Sequence, residues 1–269
     1  MKNNINSNNS ILKILKPIDI NQIFPYINPF ILYGTFLGIN KDLIKMIEEN
    51  DLDGLSKVKG GEKAIEIYNS IIDLKNTFGQ THLISKAVYN YFPCYSDGDE
   101  IVINKHNTRF TFIRQTTNKK ICLSNFIDKT NDEIALFAVT VGENLEQLVT
   151  KLKDNGDYAK SYLLQSLASS LAEALAEYLH KNIRKEWKIP DPENISLKDI
   201  FQAKYVGKRY SFGHKSCPSL ENQKILFSLL DVTNSIGVSL TENLMMMPES
   251  SVTAIIIKNP KAFYFNAAI

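Results

Sequence analysis

Cysteine is sparse in this chain of 269 residues: Cys94, Cys122 and Cys217 are odd in number and widely separated. That excludes a disulfide framework and fits reduced thiols in a reducing compartment. No Cys-x-x-Cys or His-x-x-x-His pair occurs, and His82, His106, His180 and His214 are scattered. A structural zinc site is therefore not expected. Long apolar runs are missing too, and none approaches the roughly 20 residues that span a bilayer. Charge of one sign is not in excess: the net value is +2, which gives no strong pull toward nucleic acid or an anionic membrane. The opening MKNNINSNNS lacks the apolar core of a signal peptide and reads as a disordered tail. A cytoplasmic protein is expected. Catalytic signatures are absent as well. There is no Gly-x-Ser-x-Gly elbow or Ser-His-Asp spacing, and no Gly-x-Gly-x-x-Gly follows a strand.

What is present suits one large soluble domain or two small ones, with 44% hydrophobic and 22% charged residues. A chain this long buries a substantial core without staples. Pro17, Pro25 and Pro29 interrupt residues 11–38, which predicts an entry segment and a short helix near 30–37. Asn28, just before Pro29, is placed as a helix cap or turn former, with a ligand role as the alternative. Residues 40–76 are predicted helical with a break at Gly60-Gly61. That pair reads as a helix–helix turn or an anion cradle, and no Lys-Ser/Thr follows to complete a phosphate loop. Residues 83–141 alternate as strands around the turn at Asp97-Gly98-Asp99. Ala135–Val141 is one compact apolar run, hence a buried strand.

The longest predicted helix is 158–187, free of Gly and Pro, with Leu164, Leu167, Leu171, Leu175, Leu179 and Ile183 at helical spacing. Glu173, Glu177 and Arg184 fall off that stripe, and Glu177 with Lys181 is expected to form a modest surface pair. Ser196 should cap a short helix over 197–205. A further amphipathic helix is expected over 219–234. Strands are expected over 236–240, 251–257 and 262–265, the last reached through Asn259-Pro260. Met245-Met246-Met247 reads as soft packing or a hinge. These pieces with short turns point to an antiparallel sheet rather than repeated βαβ units.

The stretch Arg209-Tyr-Ser-Phe-Gly213-His-Lys-Ser-Cys217-Pro218 carries the chemistry. Arg209 offers a planar fork suited to a carboxylate. Gly213 permits φ > 0 or close approach of a ligand to main chain, and Pro218 makes the segment an extended or turning loop. A solvated surface loop is the plain alternative. With Glu173 on the long helix and Tyr264 near the end of the chain, these groups suit a zwitterion: carboxylate to guanidinium, amine to acid.

Leu171-Ala-Glu-Ala-Leu-Ala-Glu-Tyr-Leu-His180 with Arg184-Lys-Glu186 resembles the long helix of the activation domain of cobalamin-dependent methionine synthase. Arg209-x-x-x-Gly213, Ser216-Cys217-Pro218, Ile236-Gly-Val-x-Leu-Thr-Glu242, Pro248-x-x-Ser-Val252 and Asn259-Pro260 through Tyr264 follow in the same order. Upstream, Phe92-Pro93, Gly98-Asp99-x-Ile101, Arg114-Gln115 and Phe137-Ala-Val-Thr140 also match. The likeness covers about residues 21–268, leaving 1–20 as the tail. It implies an α+β fold: a C-shaped single domain with a central twisted antiparallel sheet flanked by long helices. It also implies that S-adenosylmethionine is bound in a shallow, extended site. The methyl group would serve reductive methylation of cob(I)alamin on a corrinoid-binding methionine synthase module, with flavodoxin or another reductant supplying the electron. The chain would then be a stand-alone activation subunit, an accessory methyltransferase component. Carried over by position, Arg209 would bind the donor's carboxylate, with Ser211 and Gly213 contributing main chain. Glu173, Tyr264 and Asn28 would complete the site.

Three departures stand out. An aspartate of the family is closest to Asn28 here, a tyrosine is His214, and the Arg-Pro-Ala-Pro-Gly pattern is Arg209-Tyr-Ser-Phe-Gly213. A lost charge-assisted hydrogen bond costs about 1.5–3 kcal/mol. These changes motivate an alternative, a corrinoid-docking module that no longer binds the donor. A third reading is an unrelated small-molecule enzyme on the same scaffold.

Overall fold

A computed structural model describes residues 12–104, 108–116, 119–142 and 144–267. The chain runs β1 (Lys13–Ile18), α1 (Ile20–Ile23), a 3-10 turn (Phe24–Tyr26) and a π-helical turn (Phe30–Phe36). Next come α2 (Lys41–Glu48), α3 (Leu52–Ser56), α4 (Gly61–Phe78), β2 (Ser85–Asp97), β3 (Glu100–Ile103), β4 (Thr108–Thr111) and β5 (Asp132–Val141). The second half holds α5 (Leu145–Asp154), α6 (Tyr158–Glu186), α7 (Leu197–Phe201), β6 (Lys208–Ser211), α8 (Asn222–Leu230), α9 (Val232–Ile236), β7 (Ser239–Leu240), β8 (Met246–Met247) and β9 (Ser251–Ile257).

Seven strands form one antiparallel sheet in the order β4-β3-β2-β5-β9-β6, with β1 also paired to β2. Along one edge β2 meets β5 from Ser85 to Cys94; its other edge is shared by β1, over Ser85–Tyr89, and β3, over Cys94–Asp97. Pro93 lies at the seam between them, where its missing N–H interrupts neither partner. Of the stretch read as a tail, residues 12–20 hold β1; residues 1–11 lie outside the described residues.

Both faces of the central strands are buried, which is why they read as unbroken apolar runs. Ala135, Phe137 and Val139 pack toward the helices, with Leu164, Leu171, Leu175 and Ile256. Their alternates Ile134, Leu136 and Ala138 pack on the opposite side, with Leu226, Val232 and Ile255. This is the period-two rule of a strand. The predicted fold class agrees with this architecture.

Three expectations change. Residues 236–240 are not a strand: Ile236 ends α9, Gly237 takes φ 78°, and only β7 pairs, with β8. Residues 262–265 do not join the ladder. They run beside β6, held by side chains: the Tyr210 hydroxyl donates to the Phe263 carbonyl at 3.0 Å, and the Phe265 amide donates to Ser216 Oγ at 2.9 Å. Helix 219–234 is broken at Asp231, whose φ of 45° separates α8 from α9. No described helix is long and apolar enough to cross a membrane.

Candidate functional site

The register of β6 on β9 sets the site. Arg209 pairs with Ile256 and Ser211 with Ala254, while Tyr210 pairs with Ile255. Ile256 and Ala254 belong to the helical-side core and Ile255 to the other. Residues paired across strands share a face, so Arg209 and Ser211 face α6 and Tyr210 turns away. Arg209 is thus on an edge strand rather than in a loop. The turn that follows is closed by Gly213 N–H donating to the Cys217 carbonyl at 2.8 Å. Gly213 has φ 85°, which favours glycine, and a Cβ there would press on the Leu220 side chain at 3.0 Å.

Helix α6 presents a second stripe to β6: Ser170, Glu173, Glu177, His180 and Arg184, spaced alternately three and four residues. Its members are polar, but all except Glu173 are buried. The surface pair expected of Glu177 with Lys181 is replaced. Lys181 donates to the Tyr26 hydroxyl at 3.1 Å, and Glu177 turns inward to accept from the Tyr205 hydroxyl at 3.1 Å. Arg184 is wholly buried and bidentate on Asp191, at 2.7 and 2.9 Å.

Between α6, β6 and the π-helical turn lies a cleft of about 550 Å³, within the usual range for small-molecule sites. Asn28, Glu173, Arg209, Ser211, His214 and Tyr264 line it. Gly213 does not; it shapes the turn behind. The cleft also takes Glu177, Tyr205, Phe201, Ile31 and Phe36, none of which sequence reading proposed for the site. The three-four polar repeat on α6 was the available signal for Glu177. Nothing in the sequence marked the segment 200–205 as a wall. Asn28 caps locally as well, its Oδ1 accepting from the Phe30 amide at 3.0 Å.

Arg209 is the electrostatic centre. Its Nη1 lies 3.1 Å from the exposed Glu173 carboxylate and its Nη2 3.9 Å from Glu177. Burial opposes its charge, but Glu173 and Glu177 more than offset this and hold the guanidinium above its ordinary value. Burial pushes the Tyr264 hydroxyl up, against the pull of Arg209. The cleft therefore presents a fixed cation flanked by two acids, and Ile31, Phe36 and Phe201 add apolar wall. A molecule with an amino-acid end and a flat apolar body matches this arrangement.

His180 lies beneath. It is fully buried, neither ring nitrogen has a hydrogen-bond partner, and it meets Tyr205 edge-on at 5.2 Å. Burial first, then Arg184 and Arg209, hold it well below the ordinary 6.5. The unfolded chain then binds the extra proton, so stability rises with pH through that range. We expect stability to fall by about 1.4 kcal/mol per pH unit as pH drops below the unfolded value. Urea titrations at a series of pH values should show that slope, and His180→Leu should remove it.

A second concavity, of about 470 Å³, lies between α5, α6 and residues 247–250. Its charged residues Glu146, Lys153 and Glu249 are all exposed, and the hydroxyl of its buried Thr140 is already engaged by the Ser250 carbonyl and Ser251. Among the described residues no group of His, Cys, Asp and Glu could hold a metal. The three cysteines are free and buried. Burial raises Cys94 and Cys217 to about 12, so neither is a reactive thiolate.

The family model for the activation domain of vitamin B12 dependent methionine synthase matches residues 13–269. The chain belongs to that family. Two methionine synthases are similar to this activation domain in sequence. That of Mycobacterium leprae is 32% identical across 72% of this chain, and that of Mycobacterium tuberculosis 33% identical across 67%. The chain spans only 18% and 17% of their lengths. Among solved structures, the MetH reactivation domain bound to AdoHcy superposes with a TM-score of 0.86 at 25% identity, covering 96% of this chain and 81% of that one.

Proposed function

We propose that the cleft binds S-adenosylmethionine and presents its methyl group to a corrinoid carried by another folded module. The observation that carries this reading is Arg209: a half-buried, permanently charged guanidinium lining the cleft, with two carboxylates beside it. The similar MetH domain is bound to AdoHcy, a compound with the same amino-acid and adenosine ends. The much longer relatives leave room for other modules beside the activation domain.

When bound, the donor supplies a methyl group on a positively charged sulfur. The chain's own residues hold and orient it. Arg209 takes the carboxylate, while Glu173, released from Arg209, takes the ammonium. The Ser211 main chain and Tyr264 border the amino-acid end. His214, exposed at the rim, stands in the place of the family's tyrosine. Partial burial of Arg209 strengthens its grip, because a charged hydrogen bond gains where water is reduced. Presentation in a fixed orientation is the chemical contribution, since no catalytic acid or base is needed for it. The chain is then an accessory methyltransferase component, with flavodoxin or another reductant serving the corrinoid.

Calorimetric titration tests this directly. S-adenosylmethionine and S-adenosylhomocysteine are both expected to bind, and no heat at millimolar concentration would overturn the assignment. Glu173→Gln is expected to weaken S-adenosylmethionine by only about two- to fivefold, because ion pairs of exposed groups contribute less than about 1 kcal/mol. The same titration measures it.

A second reading has one observation behind it. Asn28 spends its carbonyl oxygen on the Phe30 amide, where the family places an acid. Under that reading the domain docks on a corrinoid protein without binding the donor, and the calorimetry stays flat.

A further inference from the structure

We propose that Arg184, which does not itself line the cleft, is a positioning residue that sets the direction of Arg209. This inference rests on the reading of the cleft given above. Arg184 is 0% exposed and lies two turns along α6 from Glu177. Its Nε and Nη2 are clamped by Asp191, its Cζ stacks 3.7 Å from the centre of the Tyr205 ring, and its Nη1 faces Glu177 at 3.6 Å. Tyr205 in turn donates its hydroxyl to Glu177 Oε2. Glu177 is thereby held from two sides, and Arg209 Nη2 lies 3.9 Å from that same Oε2.

The chain of contacts runs from Asp191 to Arg184, then through Tyr205 and Glu177 to Arg209. Only its last three members reach the cleft. The two guanidiniums face different oxygens of the one buried carboxylate, Arg184 toward Oε1 and Arg209 toward Oε2. The fork on Asp191 keeps Arg184 back, which leaves Glu177 free to orient Arg209. Glu177 Oε1 and Arg184 Nη1 have no hydrogen-bond partner, so the pair is stretched rather than closed. A closed pair would draw Glu177 away from Arg209. A buried arginine used only for packing would be satisfied by the Asp191 clamp and would not also need to face Glu177.

The test compares two probes. S-adenosylmethionine carries the amino-acid end, and 5′-methylthioadenosine lacks it. Arg184→Lys keeps the charge but loses the fork and the stacked plane. Asp191→Asn keeps the shape and weakens only the clamp, which guards against a lysine variant that does not fold. Each variant is first checked for a native circular dichroism spectrum, then titrated with both probes by ligand-observed NMR. The expected result is a loss of roughly tenfold for S-adenosylmethionine, in keeping with a disturbed charged hydrogen bond, with methylthioadenosine unchanged. Equal losses for both probes, or no loss for either, would overturn the positioning role. If the unaltered protein binds neither nucleoside, the assignment of the cleft fails, and this inference with it.

Discussion

Replacing Arg209 with alanine is expected to weaken S-adenosylmethionine binding by about ten- to a hundredfold, the equivalent of one charged hydrogen bond of about 1.5–3 kcal/mol. The effect should exceed that of Glu173→Gln because the two partners differ in burial: the Arg209 side chain is 15% exposed and that of Glu173 56%. A largely buried cation meets little competing water, whereas an exposed acid is already solvated. Removing Arg209 also leaves Glu177, 10% exposed in its side chain, without one of its two guanidinium neighbours. The fold should survive, because Arg184 and Tyr205 still partner that carboxylate. Titration calorimetry against a folded variant is the measurement. An affinity equal to that of the unaltered protein would remove Arg209 from the site.

Asp191→Ala should have the largest effect on stability of any single polar change near the cleft. It strips a wholly buried guanidinium of both its short hydrogen bonds. Breaking a buried pair by removing one partner costs about 3–5 kcal/mol, because the surviving charge stays out of water. Urea unfolding followed by circular dichroism should show a midpoint shift of that size. Adding Arg184→Met to the same variant removes the orphaned charge and should recover part of the loss. A single variant losing under about 1 kcal/mol would mean that water reaches Arg184 after all.

The fold is largely legible in the sequence. The apolar runs Ala135–Val141 and Ser251–Ile257 carry their own burial, and α6 declares itself through its leucine spacing and its lack of breakers. Ser196 caps α7 by accepting from the Asp199 amide, as its position before a short helix implied. Failures came where tertiary contacts override local pattern. Ala262–Phe265 has strand composition, yet its backbone is satisfied by Tyr210 and Ser216, so no ladder forms. Val238 is apolar and buried but follows a helix end at Gly237 instead of opening a long strand. In the site, Arg209 is conspicuous because its planar fork opens a stretch of aromatic residues and a glycine, Tyr210-Ser-Phe-Gly213. Glu177 was hidden, since an acid off the leucine stripe reads as solvated. It is buried only because β6 and Tyr205 close over that side of the helix.

The short stretch beside β6 does two jobs at once. It covers what would otherwise be the open margin of the sheet, a surface ready to pair with another chain, and its Tyr264 is a wall of the cleft. Any change that loosens it should surface as clumping and as lost affinity together. Variants selected for better solubility at this margin will therefore carry their effect straight into recognition.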